Sequence, residues 1–109
     1  KSFKKKVAVI TGAGSGIGRY LAILLAKDGA DVCVCDINKK TLDETVNMLR
    51  KYNVSVSSHI LDVSNKESIE ELPKKVIEHH GKVDMVFNNA GVNNGSHFKD
   101  MREDTGIGS

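Results

Sequence analysis

A glycine-rich turn set between a strand and a helix constrains this chain more than any other feature. Thr11-Gly12-Ala13-Gly14-Ser15-Gly16-Ile17-Gly18 follows the apolar run Val7-Ala8-Val9-Ile10 and leads into a helical pattern of Ile17, Tyr20, Leu21, Leu24 and Leu25. A strand that feeds such a turn and then a helix aims unpaired N-terminal N–H groups, and the positive end of the helix dipole, at one point. That point suits a phosphate. Gly12 can take the backbone angles of a sharp turn, Gly16 leaves room for a pyrophosphate against the main chain, and Gly18 allows helix and strand to pack closely. The spacing is G-x-x-x-G-x-G, and no reading of it yields G-x-G-x-x-G or the G-x-x-x-x-G-K-[ST] of a P-loop.

The remainder of the chain alternates strand and helix with short joins. Strands are expected over Val7 to Thr11, Asp31 to Asp36, Val54 to Asp62 and Val83 to Asn88; helices over Ile17 to Asp28, Lys39 to Tyr52 and Lys66 to His80. Such alternation builds an α/β fold of the Rossmann type, a parallel sheet with right-handed crossovers and, for four strands, the order 3-2-1-4. Gly29 and Gly81 stand where helices want a C-terminal glycine, and Thr41-x-x-Glu44 and Ser64-x-x-Glu67 read as capping boxes. Leu42, Val46 and Leu49 give the second helix an apolar face. Pro73 implies a kink in the third helix, or a short turn followed by a helix starting at the proline. The helices after the first two strands cover one sheet face and the third covers part of the other. Strands one and four are therefore expected to lack cover, with Val83, Met85, Val86 and Phe87 presenting apolar surface and an open edge.

Length and composition narrow the function classes. At 109 residues the chain is one domain at most, read as a nucleotide-binding segment over residues 1–91 and a polar, disordered tail over 92–109. A net charge of +2 offers no broad footprint for nucleic acid, and the Lys1, Lys4, Lys5 and Lys6 cluster reads as a solvated edge. No apolar stretch approaches the ~20 residues of a membrane span, and no signal peptide opens the chain, so a cytoplasmic location is expected. A start on lysine implies that residues before Lys1 are missing. Cys33 and Cys35 alternate with Val32 and Val34 and read as buried, inert thiols, and the four histidines fit no metal spacing.

Three further motifs close strands in order: Asp36 after Asp31-Val32-Cys33-Val34-Cys35, Asp62-Val63 after the run to Leu61, and Asn88-Asn89-Ala90-Gly91 after Val83 to Phe87. With the threonine and Gly-Ile-Gly of the first turn, they resemble the short-chain dehydrogenase/reductase family, over about Phe3 to Gly91 and only its N-terminal, cofactor-binding half. At the end of the second strand, the acidic residue of a dinucleotide fold accepts from the adenosine ribose. Asp36 stands there; its alternative reading is a helix-cap or turn carboxylate. NADP-preferring members similar to this chain carry a cation where Ser15 or Ile37 stands, so the resemblance implies NAD. It also implies adenine recognition by Asp62 and Val63, for which a plain turn into a helix is the alternative. Asn89 is implied to hold the central sheet and the cofactor ribose, and Ala90 and Gly91 to allow close backbone approach.

The family's catalytic serine and Tyr-x-x-x-Lys are not among these residues. Tyr20 and Tyr52 are the two tyrosines, and four places beyond them stand Leu24 and Val56. No catalytic residue is assigned. The resemblance implies an oxidoreductase that moves hydride between NAD and an alcohol or ketone in a homo-oligomeric full-length protein, with this segment inactive alone; a non-catalytic nucleotide-binding module is the other reading.

Overall fold

A computed structural model describes residues 3–89, over which the alternating pattern folds into one parallel sheet. The elements are β1 (Val7–Thr11), α1 (Gly16–Lys27), β2 (Asp31–Asp36), α2 (Lys39–Leu49), β3 (Val56–Ile60), α3 (Lys66–His80) and β4 (Met85–Asn88). The strand order is β3-β2-β1-β4, with Val9 opposite Cys33 on one side and Val86 on the other. This is the Rossmann-type order expected. Ala90, Gly91 and the tail expected over 92–109 lie outside the described residues.

Strands buried on both faces read as continuous apolar runs, and β1 and β2 follow that rule. Ala8, Ile10, Val32 and Val34 face α1 and α2, where they pack with Ala22, Leu25, Ala26, Leu42 and Leu49. Val7, Val9, Cys33 and Cys35 face α3 and meet Leu61, Leu72 and Val76. β1 is therefore covered on both sides, contrary to the expectation that it would lack cover: α1 and α3 lie over its opposite faces. For β4 the expectation holds in part, since Val86 is 41% exposed while Met85 and Phe87 are half-buried against the core. Beside it an apolar groove of about 290 Å³ runs between β4 and α3, lined in part by Ile69, Ile77, Val83 and Val86.

Several element boundaries and caps depart from expectation. α2 stops at Leu49 instead of Tyr52, because Arg50 and Tyr52 donate to Asn47 and Leu49 in tighter i to i+3 turns. α1 lies one residue earlier than expected at both ends. β3 and β4 are shorter than expected: Val32 N–H still donates to the Ser55 carbonyl and Asp84 N–H to the Val7 carbonyl, but the Asp31 carboxylate takes Ser55 N–H and the Asp84 carboxylate takes Val7 N–H, so each flank keeps only part of the ladder. The caps are Asn38 and Asn65, not the expected Thr41 and Ser64; Thr41 donates its N–H to Asn38, and the Ser64 hydroxyl is spent on Asp62. α3 runs unbroken through Pro73, which sits on its exposed side where an unpaired carbonyl can be hydrated, and ends on left-handed Gly81.

The thiols of Cys33 and Cys35 are wholly buried 4.0 Å apart, and the Cys33 bond together with burial pushes the Cys35 thiol up. On the same face, His80 Nε2 meets Ser57 Oγ at 2.8 Å, while His59 Nε2 is buried without a hydrogen-bond partner among the described residues. Burial, with Lys75 and His79 nearby, lowers the His59 pKa; burial, His79 and His59 lower that of His80 against a weaker opposing pull from Asp31. Both imidazoles fold neutral and must charge as acid is added. Stability should therefore be complete above the ordinary value of 6.5 and fall as the pH drops through the lowered values. Thermal melts from pH 7.5 to about pH 5 check this, and His59→Gln, which cannot titrate, should flatten the decline; an unchanged slope in that variant refutes it.

Candidate nucleotide-binding site

The C-terminal ends of parallel strands are where ligands of open α/β sheets bind, and here they bring together the glycine turn, Asp36, Asp62-Val63 and Asn88-Asn89. β1 delivers the turn because its apolar residues are pinned between α1 and α3. Gly12 and Gly16 both hold positive φ, 66° and 59°, in the region that favours glycine. A Cβ on Gly16 would meet no atom within 4 Å, so the backbone there is open to an incoming group. Gly18 is the reverse. A Cβ on it would lie 2.1 Å from the Gly12 carbonyl oxygen, the close helix-to-strand packing that the spacing implied.

Anion-binding capacity concentrates on α1. Its cap residue Ser15 is extended and makes no side-chain cap bond, and no acidic residue occupies the first turn. On α2 the Thr41 N–H, and on α3 the Glu67 and Ser68 N–H groups, are already taken by the cap residues Asn38 and Asn65. Ser15, Gly16 and Ile17 are exposed, with Ile17 at 73%. The positive end of α1 therefore faces outward beside open backbone, the arrangement that holds a phosphate.

Asp36 lies across this turn with both carboxylate oxygens engaged. Oδ2 accepts from Gly14 N–H at 2.8 Å and Oδ1 from Asn38 N–H at 3.0 Å. The cap-or-turn reading of Asp36 thus has a geometric basis, and each oxygen keeps lone-pair capacity for a further donor. Ile37, next to it, is 62% exposed. Asp62 is half-buried, and the Ser64 hydroxyl and N–H, at 2.6 and 2.9 Å from Oδ1, hold its pKa below the usual carboxylate value. That is the turn alternative realised at one oxygen. Val63 lies on the rim of the apolar groove. Asn88 Oδ1 accepts from the buried Thr11 hydroxyl at 2.8 Å, tying β4 to β1. Asn89 Nδ2 is buried and has no acceptor among the described residues, so it is a donor placed beside the site.

A clamp behind the turn escaped the sequence reading. The Arg19 guanidinium donates to the carbonyls of Gly14 and Thr41 and to Glu44, while Arg19 Nε reaches the Thr45 hydroxyl at 2.9 Å. Thr45, wholly buried, donates in turn to the Ala13 carbonyl at 2.7 Å. These bonds fasten the outer half of the turn to α2. One signal was present: Thr45 stands between Leu42 and Leu49 on the buried face, where a polar residue needs a partner. The buried set is Leu42, Thr45 and Leu49, and Val46 is only half-buried. Among the described residues no group of three His, Cys, Asp or Glu is placed to hold a metal.

Comparison with known proteins gives a consistent result. Residues 6–108 match the family profile for short chain dehydrogenase. The chain is 36% identical over 99 residues to 3-oxoacyl-(acyl-carrier-protein) reductase FabG of Thermotoga maritima, covering 91% of this chain and 40% of that protein. It is 43% identical over 89 residues to the uncharacterized oxidoreductase YxbG of Bacillus subtilis, covering 82% and 33%. Among solved structures, NAD+-bound xylitol dehydrogenase superposes with a TM-score of 0.80 at 35% identity, over 84% of this chain and 35% of that one. A short chain dehydrogenase/reductase from Burkholderia phymatum in complex with NAD gives 0.74 at 38%, over 79% and 31%. The chain spans about two fifths or less of the length of these relatives.

Proposed function

The chain belongs to the short-chain dehydrogenase family, and on that premise we propose that it is the NAD-holding segment of an oxidoreductase that interconverts an alcohol and a ketone. The observation that carries the reading is Asp36, an acidic side chain anchored at the open turn with the uncharged Ser15 and Ile37 on either side of the position. The NAD complexes among its structural neighbours support it. Gly12, Gly14, Ser15, Gly16, Ile17 and Gly18 are assigned to the pyrophosphate, which the α1 N–H groups would hold. Asp36 would accept from the adenosine ribose hydroxyls and Ile37 would flank the adenosine. Asp62 and Val63 are assigned to the adenine, Asp62 through the oxygen that Ser64 does not use.

Asn89, Ala90 and Gly91 are assigned to the inner end of the cofactor, where Asn89 Nδ2 supplies a buried donor. When bound, NAD supplies the hydride chemistry itself. What the protein contributes at these residues is orientation: the clamp of Arg19 and Thr45 holds the turn in shape before the cofactor arrives, so less ordering is needed on binding. A homo-oligomeric whole protein in the cytoplasm completes the proposal; the partly exposed β4 edge supports assembly through further structure. Among the described residues no helix is long and apolar enough to cross a membrane.

Calorimetric titration tests the cofactor assignment. NAD should bind more tightly than NADP, because the Asp36 carboxylate repels a 2′-phosphate and nothing at Ser15 or Ile37 neutralises it. Asp36→Ala should weaken NAD binding by about 1–3 kcal/mol, the range for a lost charge-assisted acceptor. Tighter binding of NADP by the unaltered chain overturns the reading.

A further inference from the structure

Gly14 is gripped from three sides. Its N–H is bound by Asp36 Oδ2, its carbonyl by Arg19, and its buried Cα lies against Thr41. A Cβ added there would stand 2.5 Å from Thr41 Oγ1, 2.8 Å from Asp36 Oδ2 and 3.0 Å from Asp36 Cγ. Gly14 does not hold positive φ, so its backbone would accept alanine. What forbids a side chain is the carboxylate and the hydroxyl, and both are side-chain ends that can move. An alanine at this position therefore displaces Asp36 without breaking the turn.

We propose that Gly14 is a positioning residue for cofactor discrimination: its N–H and its missing side chain hold the Asp36 carboxylate where it excludes a 2′-phosphate. The inference rests on the assignment of Asp36 to the ribose. Two backbone donors, from Gly14 and Asn38, hold both oxygens, so turning the carboxylate aside when a second anion approaches means breaking those bonds. Like charges held together in a site cost far more than charges free to separate. Loss of the Gly14 contact frees the carboxylate to swing toward water, which weakens its hold on the ribose hydroxyls and its repulsion of a phosphate together. Thr45 enforces the arrangement from the other end of the peptide that carries this N–H, since its hydroxyl bonds the Ala13 carbonyl, which lies in one plane with the Gly14 N–H.

The test is a cycle of Gly14→Ala and Asp36→Ala in the full chain, with dissociation constants for NAD and NADP measured for all four proteins. Gly14→Ala should shift the NAD-to-NADP preference toward NADP by about tenfold or more, the ratio that one charge-assisted hydrogen bond commands. On the Asp36→Ala background the same substitution should leave the ratio unchanged, because there is no carboxylate left to position. A merely structural role would weaken both cofactors alike and leave the ratio where it was. If circular dichroism shows Gly14→Ala unfolded, Gly14→Ala/Thr41→Ala carries the test, since it removes the nearer obstacle. An unaltered ratio in folded Gly14→Ala, with Asp36→Ala shifting it, overturns this inference alone. Equal shifts on both backgrounds overturn it as well. No shift in Asp36→Ala itself overturns the ribose assignment and this inference with it.

Discussion

Gly18→Ala is expected to abolish the cooperative thermal transition of the chain, or to lower it further than any other single added methyl in the turn. The obstacle is main chain: the new Cβ would stand 2.1 Å from Gly12 O and 2.7 Å from Gly12 C, well inside contact distance. Relief requires α1 to move off β1, and that movement opens the packing of Ala22, Leu25 and Ala26 on Ala8 and Ile10. Overpacking a tight core costs about 1–3 kcal/mol and occasionally more, and an immovable obstacle belongs at the upper end of that range. A small domain has only about 5–15 kcal/mol in total. Gly16→Ala is the control. Its Cβ would meet nothing within 4 Å, so the cost there is the strain of positive φ, about 1 kcal/mol or slightly more. Thermal melts of the two variants beside the parent should rank them parent, Gly16→Ala, Gly18→Ala. Equal stability of Gly18→Ala and the parent refutes the close packing of α1 on the turn.

On the proposed function, these 109 residues should move no hydride between NAD and secondary alcohols at a measurable rate even with the cofactor bound. Holding a dinucleotide and transferring a proton are separate tasks, because the second needs a group within hydrogen-bond reach of the substrate oxygen at a suitable pKa. Tyr20 is 64% exposed on α1, and Tyr52 packs against the core beyond α2. Lys51 Nζ lies 5.4 Å from the centre of the Tyr52 ring, on its face, a cation–π placement that does not present a lysine to the hydroxyl. A missing positioned acid or base typically costs about 10²–10⁴ in rate, and a missing polarising hydroxyl adds to it. NADH absorbance over a panel of secondary alcohols measures the outcome. Turnover that Gly16→Val abolishes would show that this segment carries its own proton-transfer group and that the reading is wrong.

The features governed by local sterics and periodicity were legible in the chain. Apolar runs that are buried on both sides marked β1 and β2 to the residue, since a strand covered on two faces has no polar alternation to blur its ends. The glycine spacing marked the turn because only glycine permits the approach of Gly18 to Gly12. The alternation of elements implied the order 3-2-1-4, since right-handed crossovers leave few other arrangements. Contacts between residues far apart in the chain arise only when the elements dock. Thr45 bonds Ala13 and Arg19 bonds Thr41 because α2 happens to lie beside the turn once both have docked on the sheet, and no local pattern encodes that distance. Caps went to Asn38 and Asn65 because Thr41 faces Gly14 and Ser64 is held by Asp62. Burial of β1 on both faces likewise needed the position of α3, whose Leu72 and Val76 reach across β2 to Val7 and Val9. The placement of Asp36 combines the two: its position at a strand end was legible in the chain, but the Gly14 N–H that orients it is a contact between two strand ends, set by the register of β1 against β2.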